Sequence, residues 1–161
     1  MRNRQAIDAL DHAIIAELQK DARLSNTELA RRVGLTPAPC LRRVQRLEQE
    51  GVIEGYHAAL NLKAAGQGFE VIVAVDIAVN NTATVQDFES AAVAVPEVTE
   101  VRRMFGQPDY YLRVQVADGE AYEALTISTL SQLPAVSRIL SHQTMRRLKL
   151  SGVRPLRWWH G

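Results

Sequence analysis

The sequence predicts an α+β protein in two parts: a helical domain over residues 1–60 and a domain of mixed strands and helices over residues 69–161. Residues 7–50 carry apolar side chains at helical spacing, whereas residues 69–149 alternate strand-like runs with helix-like ones. The intervening segment "NLKAAGQG" has two glycines and little apolar weight. We therefore expect a linker at residues 61–68.

The bulk composition narrows the possible classes of protein. The chain has 161 residues, of which 47% are hydrophobic and 23% charged, as in ordinary globular proteins. Its net charge of +1 indicates no particular partner, so any signal of that kind must be local. We find no apolar run of membrane-spanning length and no signal peptide. With a single cysteine, these features lead us to expect a cytoplasmic protein with no membrane partner.

Three helices are predicted in the first part. Leu10, Ile14, Ile15 and Leu18 form one apolar stripe that ends near Asp21. The stretch "SNTE" at residues 25–28 is a capping box, in which the serine and the glutamate would each satisfy a free amide. The second helix, which starts there, should end at the glycine at position 34.

The third helix should start at Thr36, whose hydroxyl can cap it, with Pro37 at the first helical position and Pro39 still in the first turn. Neither proline costs an internal hydrogen bond there. Gly51 is placed to end the helix in a left-handed turn. We expect an inward face on this helix, formed by Cys40, Leu41, Val44 and Leu47.

The second part reads as strand, helix, strand, strand, helix, strand. The predicted ranges are 69–79, 82–95, 98–105, 109–117, 119–133 and 136–150. This order is that of a ferredoxin-like βαββαβ fold, with both helices on one face of an antiparallel sheet. Ile72, Ala74 and Tyr111 make the other face partly apolar, and a second copy packed sheet to sheet would cover it.

The outer face of the third helix is basic. From residue 29 to residue 47 there are five arginines and no acid, and the outward face centres near Arg42. Ala30, Gly34 and Cys40 have the spacing of a helix-turn-helix motif. The arginines either solvate an exposed face or contact DNA. The coincidence of capping box, glycine turn and proline entry favours DNA.

In that interpretation the third helix enters the major groove, where arginine and glutamine match guanine and adenine edges. Flanking arginines and the two helix starts would contact phosphates. The predicted double-stranded DNA contacts are Ser25, Arg31, Arg32, Thr36, Pro37, Ala38, Pro39, Arg42, Arg43, Gln45 and Arg46.

Two stretches resemble a known family. The segment "LDHAIIAELQKDARLSNTELARRVGLTPAPCLRRVQRLEQEGVIEGYHAALN" resembles the N-terminal half of Lrp/AsnC (feast/famine) transcriptional regulators, and "GQPDYYLRV" resembles their effector domain. The resemblance implies a winged-helix-like DNA-binding domain. It also implies homodimers held by the ferredoxin-like domains, which assemble into tetramers or octamers.

The resemblance further implies that a small molecule, often an amino acid, binds near the turn before the third strand and near the last strand. Its expected contacts are Gly106, Asp109, Tyr110, Ile139 and Ser141. Ser141 keeps the hydroxyl often found at its position and Ile139 does not. Asp109 could pair with an ammonium group, or it could simply cap a turn.

Other functions are weighed against this one. The four histidines lie far apart, and neither a phosphate-binding glycine loop nor a Gly-x-Ser-x-Gly motif is present. We therefore predict no metal, no cofactor and no catalytic activity. The alternatives are a monooxygenase-like enzyme in a ferredoxin-like dimer, by fold analogy alone, and a protein-interaction adaptor. Trp158 and Trp159 form either a frayed tail or an oligomer contact.

Overall fold

The computed structural model describes residues 6–78, 81–146 and 148, which form two compact units divided between Ala59 and Leu60. The predicted end of the first strand at Val79, positions 147, 149 and 150 of the last predicted strand and the Trp158–Trp159 tail lie outside these residues. Each unit has a hydrophobic core of its own. The predicted α+β fold class, with a helical unit followed by a mixed one, is confirmed.

The helical unit contains α1 (Ala9–Lys20), α2 (Asn26–Val33) and α3 (Pro37–Gln49). Its small core takes residues from all three helices, and Ile14, Cys40 and Leu47 have no exposed surface. Burial raises the pKa of the Cys40 thiol, as expected of a cysteine that packs as a small apolar side chain. Within residues 6–59 there is no β-strand, so this unit carries no paired wing.

Glycines end the second and third helices, as predicted. Gly34 has a φ of 73° and Gly51 a φ of 70°, both in the left-handed region that residues with a Cβ rarely adopt. After α3, the amide of Val52 donates to the carbonyl of Leu47 and the amide of Gly51 to that of Glu48, at 2.8 and 3.0 Å. This pair of bonds is a Schellman motif, which satisfies carbonyls at the end of the helix.

The second unit follows the predicted order of elements. It contains β1 (Phe69–Ile77), α4 (Thr82–Val93), β2 (Val98–Arg103), β3 (Tyr110–Val116), α5 (Gly119–Ser128) and β4 (Val136–Gln143). Both helices are shorter than predicted: α4 ends at Val93, and a separate 3-10 turn (Leu130–Gln132) follows α5. The predicted linker begins this unit and forms a turn, in which the amide of Gln67 donates to the carbonyl of Leu62 at 2.8 Å.

The four strands form one antiparallel sheet in the order β2-β3-β1-β4. Side chains alternate along β1 and β3: every second residue from Val71 to Ile77 and from Tyr110 to Val116 is buried in the core with α4 and α5. The register pairs Val75 with both Tyr110 and Ile139, so these three residues form one row across the core-facing side.

The opposite side of the sheet carries a second cross-strand row. Tyr111 and Leu140 both pair with Ala74, and Arg102 pairs with Tyr111. Leu140 is 45% exposed, whereas Ala74 is covered by its larger neighbours. Charged side chains border this row, with Arg113 close to both Glu70 and Glu100. Among the residues described, no helix is long and apolar enough to span a bilayer.

Candidate nucleic-acid interface and effector site

The capping residue of α2 lies where the sequence predicted it. The hydroxyl of Ser25 accepts a hydrogen bond from the amide of Glu28 at 3.2 Å. The reciprocal half of the predicted capping box is wrong, because the Glu28 carboxylate turns to the guanidinium groups of Arg31 and Arg32, at 2.7 to 2.8 Å. These bonds, first that from Arg31, lower the pKa of Glu28 to about 2.

The start of α3 also differs from the prediction. Thr36 is the N-cap residue with an extended backbone, but its hydroxyl makes no capping bond. Instead, the side-chain amide of Asn26 on α2 donates to the carbonyl of Pro37 at 2.7 Å. The two helices of the motif are therefore tied together by one side-chain bond beside the Gly34 turn.

Arg43 and Arg46 lie differently from the rest of the predicted DNA contacts. The Arg43 guanidinium donates to Asp8 and Asp11 at 2.7 and 2.8 Å, and Arg46 donates to Asp11. Asp11 has no exposed surface. Both arginines therefore pair with acids of α1, because a buried carboxylate requires cationic partners.

The electrostatics of this cluster favour ionised acids. Burial alone would raise the pKa of Asp11, but bonds from the Asp8 amide, Arg43 and Arg46 outweigh it and lower that pKa. The pKa of Asp8 falls to about 2, first because of the bond from the Asp11 amide and then because of Arg43. Asp8 and Asp11 also form a full capping box at the start of α1.

The cluster sets the rotation of α3. At about 100° per residue, Arg43 lies roughly 100° from Arg42 on the side of α1, and Leu41 lies roughly 100° away on the other side. Leu41 was expected in the core, but 45% of its surface is exposed, so that prediction is wrong. Between residues 38 and 45 the exposed arc runs from Leu41 to Arg42 and centres on Ala38 and Gln45, about 50° from the predicted centre.

The other predicted DNA contacts are at the surface. The exposed residues among them are Ser25, Arg31, Arg32, Thr36, Pro37, Ala38, Arg42 and Gln45, while Pro39 is half-buried. We give the name α3 surface to the part of this exposed arc that is formed by Ala38, Leu41, Arg42 and Gln45.

In the second unit, the Gly106 turn joins β2 to β3. Gly106 has a φ of 125°, a conformation that favours glycine. The amide of Met104 donates to the carbonyl of Asp109 at 2.8 Å, and the Asp109 side chain accepts from the amide of Ile77 at 2.9 Å. Asp109 thus ties this turn to the end of β1. A cavity of about 540 Å³ is lined by Gly106 and Asp109 together with Tyr110, Arg103, Met104 and Phe105.

Tyr110 is a core residue as well as a lining residue. Only 1% of its surface is exposed, and its ring packs on Phe88 with centroids 4.5 Å apart. Its hydroxyl donates to Glu89 at 3.0 Å. Burial, followed by that bond, raises the pKa of Tyr110 to about 12. Its ring therefore supports the cavity wall from behind.

Ile139 and Ser141 do not line the cavity of the Gly106 turn. Ile139 packs against the core beneath β4, and the hydroxyl of Ser141 lies 2.5 Å from that of Tyr122 on α5. The expected set of effector contacts is therefore divided within one copy of the chain, with the turn residues together and the β4 residues apart.

Comparison with known protein families gives each unit a counterpart. Residues 7–54 match the family model for winged helix-turn-helix DNA-binding domains, and residues 70–153 match the Lrp/AsnC ligand binding domain. A helix-turn-helix unit joined to a ligand-binding unit defines a ligand-responsive, DNA-binding transcriptional regulator.

The relatives extend over nearly the whole chain. The leucine-responsive regulatory protein of Haemophilus influenzae is 37% identical over 92% of this chain and 89% of its own length. The leucine-responsive regulatory protein of Escherichia coli K12 is 40% identical over 90% of this chain and 88% of its own length. The chain belongs to the Lrp/AsnC family of transcriptional regulators, as the sequence resemblance indicated.

Solved structures agree with this assignment. A transcriptional regulator from Neisseria meningitidis, in complex with L-Met, superposes with a TM-score of 0.88 at 30% identity, covering 94% of this chain and 98% of that one. An AsnC family regulator from Agrobacterium tumefaciens superposes with a TM-score of 0.84 at 34% identity. The match covers 89% of this chain and 93% of that one.

We expect Asp11→Asn to lower the free energy of unfolding of the helical unit by about 2 kcal/mol at pH 7, because two arginines lose the charge of a buried partner that is only partly screened. The folded-state pKa values of Asp8 and Asp11 lie below their usual 3.8. This stabilisation is therefore present above the usual pKa and is lost as the pH falls through the lowered pKa of Asp11.

Urea unfolding followed by circular dichroism across this pH range measures the effect. The difference between the wild type and Asp11→Asn should shrink below pH 4. Asp21→Asn is the matched control, since Asp21 is exposed and an asparagine oxygen can still accept from the Arg23 amide. Equal urea midpoints for the wild type and Asp11→Asn at pH 7 would show that the Asp11 cluster does not stabilise this unit.

Proposed function

We propose that the α3 surface reads base edges in the major groove, with Arg42 and Gln45 as the hydrogen-bonding side chains. The observation that carries this proposal is their exposure on one arc of the second helix of a helix-turn-helix. A guanidinium group matches the two acceptors of guanine, and a side-chain amide matches the acceptor and donor of adenine. Ala38 is small enough to let the helix approach closely.

Phosphates would be held by the borders of the same surface. The free amides at the starts of α2 and α3, next to Ser25 and Thr36, suit an anion. Arg31 and Arg32 are exposed beside them, although each is paired with Glu28. Arg43 and Arg46 act mainly through Asp11, so we assign them the orientation of α3 rather than base contacts.

We propose an amino acid as the effector, bound at the cavity of the Gly106 turn. The Asp109 carboxylate would receive the ammonium group, and backbone amides near Gly106 the carboxylate. The regulator from Neisseria meningitidis that shares this fold was solved with L-Met, and the relatives from Haemophilus influenzae and Escherichia coli are named for leucine. Ile139 and Ser141 would contribute only from a second copy.

We propose that two copies pair through the outer faces of their sheets. The row Tyr111–Ala74–Leu140 is apolar at its centre and charged at its border, the pattern of a protein interface. Such dimers would assemble further into tetramers or octamers. We also propose that the protein acts in the cytoplasm and catalyses no reaction. The monooxygenase-like and adaptor alternatives have no observation in their favour.

We expect Arg42→Ala and Arg31→Ala to affect DNA binding differently. Arg42→Ala should relax the preference for one base position by about 1–3 kcal/mol, because a base contact is lost. Arg31→Ala should weaken binding to all sequences and reduce the slope of log K against log salt by about 1. Selection from a random duplex library, followed by fluorescence anisotropy at several salt concentrations, measures both. Unchanged preference and affinity in both variants would refute the assigned surface.

We expect one or a few amino acids from a full panel to raise the melting temperature of the protein, because a ligand that binds the folded state adds RT ln(1 + [L]/Kd) to its stability. Asp109→Asn should abolish the rise, since an amide can still accept from the Ile77 amide but cannot neutralise an ammonium group. The control is Asp87→Asn, an exposed carboxylate on α4. A rise that persists in Asp109→Asn would place the effector elsewhere.

We expect Ala74→Arg to give monomers, because it puts a charge at the centre of the apolar row on the sheet. Light scattering coupled to size-exclusion chromatography measures the mass. Ser90→Arg, which adds the same charge at an exposed position on α4, should leave the wild-type mass unchanged. If Ala74→Arg also keeps that mass, the copies do not pair through this face.

A further inference from the structure

Leu41 is an exposed aliphatic side chain on a largely polar surface. It is 45% exposed, while Cys40 and Leu47 of the same helix have no exposed surface. Its neighbours at helical spacing, Ala38 and Gln45, are exposed as well. Leu41 is therefore part of the α3 surface and not of the core.

The exposure of Leu41 follows from contacts on the other side of the helix. Bonds from Arg43 and Arg46 to the buried Asp11 hold that side of α3 against α1. Asn26 fixes the start of the helix through the carbonyl of Pro37. With both the rotation and the entry of α3 fixed, the side chain at position 41 must point away from the core.

The location of Leu41 within α3 matters for recognition. It is the fifth of the thirteen helical residues, in the N-terminal half that a helix-turn-helix directs toward base edges. Because the arc centres on Ala38 and Gln45, Leu41 lies about as far from the centre as Arg42 does, on the opposite side. A duplex that contacts Arg42 and Gln45 would thus also meet Leu41.

The major groove offers one apolar group to such a side chain. Its base edges carry hydrogen-bond acceptors and donors, and the only carbon group that projects from them is the 5-methyl of thymine. A leucine that covers a polar edge would leave a donor or acceptor unpaired, whereas on a thymine methyl it buries two apolar surfaces together.

We propose that Leu41 is a specificity-determining residue that packs against the 5-methyl group of a thymine, beside the bases contacted by Arg42 and Gln45. This assignment rests on the proposed placement of the α3 surface in the major groove. It adds a sequence preference that does not depend on hydrogen bonds. The site should therefore contain a thymine at one fixed position in each half-site.

Replacement of single thymines by deoxyuridine tests this, since deoxyuridine keeps every hydrogen-bonding group and lacks only the methyl. On a site selected from a random library, one such replacement should weaken wild-type binding about fourfold, the equivalent of about 0.8 kcal/mol for one buried carbon. Leu41→Ala should bind the thymine site more weakly and lose this sensitivity to deoxyuridine. Leu41→Met, which keeps an apolar side chain, should retain it.

Val52→Ala is the matched control, because Val52 is a partly exposed aliphatic residue of the same unit outside α3. It should keep the deoxyuridine sensitivity of the wild type. The proposal is overturned if wild-type binding tolerates every deoxyuridine, if Leu41→Ala keeps the same sensitive position, or if Leu41→Ala changes the mass of the assembly instead. In those cases, base preference that still depends on Arg42 would leave the proposed function intact.

Discussion

The orientation of the DNA-binding helix depends on one buried carboxylate. Asp11 on α1 has no exposed surface and receives bonds from Arg43 and Arg46 on α3. A buried charge is costly unless it is paired, so the two helices are held in the one rotation that brings both arginines to it. Two of the five arginines in this basic stretch are therefore used to orient the helix, and Arg42 stays outside.

This constraint explains why a basic helix face and a recognition surface are not the same thing. A helical projection treats arginines 42, 43 and 46 as one patch. The fold divides them: one side of α3 binds α1 through charge, and the other side presents Leu41, Arg42 and Gln45. Acidic side chains are committed to pairs in the same way, because the Glu28 carboxylate accepts bonds from Arg31 and Arg32 and does not cap the helix. Charge pairs within the unit thus decide which groups are available for DNA.

Most of the fold could be predicted from local patterns. Capping residues, glycines in left-handed turns and the alternation of β1 and β3 each act over a few residues, so the sequence alone shows them. The burial of Asp11 could not be predicted in this way, although the spacing of Asp8 and Asp11 is itself that of a capping box. Its partners lie 32 and 35 positions later in the chain. The error at Leu41 has the same cause, since helical spacing defines an apolar arc but not its rotation. At the effector site, the alternation of β3 puts Tyr110 on the same side as Leu112, and both are buried in the structure.

The two hydrophobic clusters have no member in common, and they differ greatly in size. Among the residues that the structure describes, the cluster beneath the sheet is built from fifteen buried residues and that of the helical unit from six. A unit of some fifty residues with so few interior side chains has a small free energy of unfolding, so a single core substitution can unfold it. A calorimetric scan of this chain would therefore be described by two enthalpies rather than one, and a single melting temperature would chiefly report the sheet.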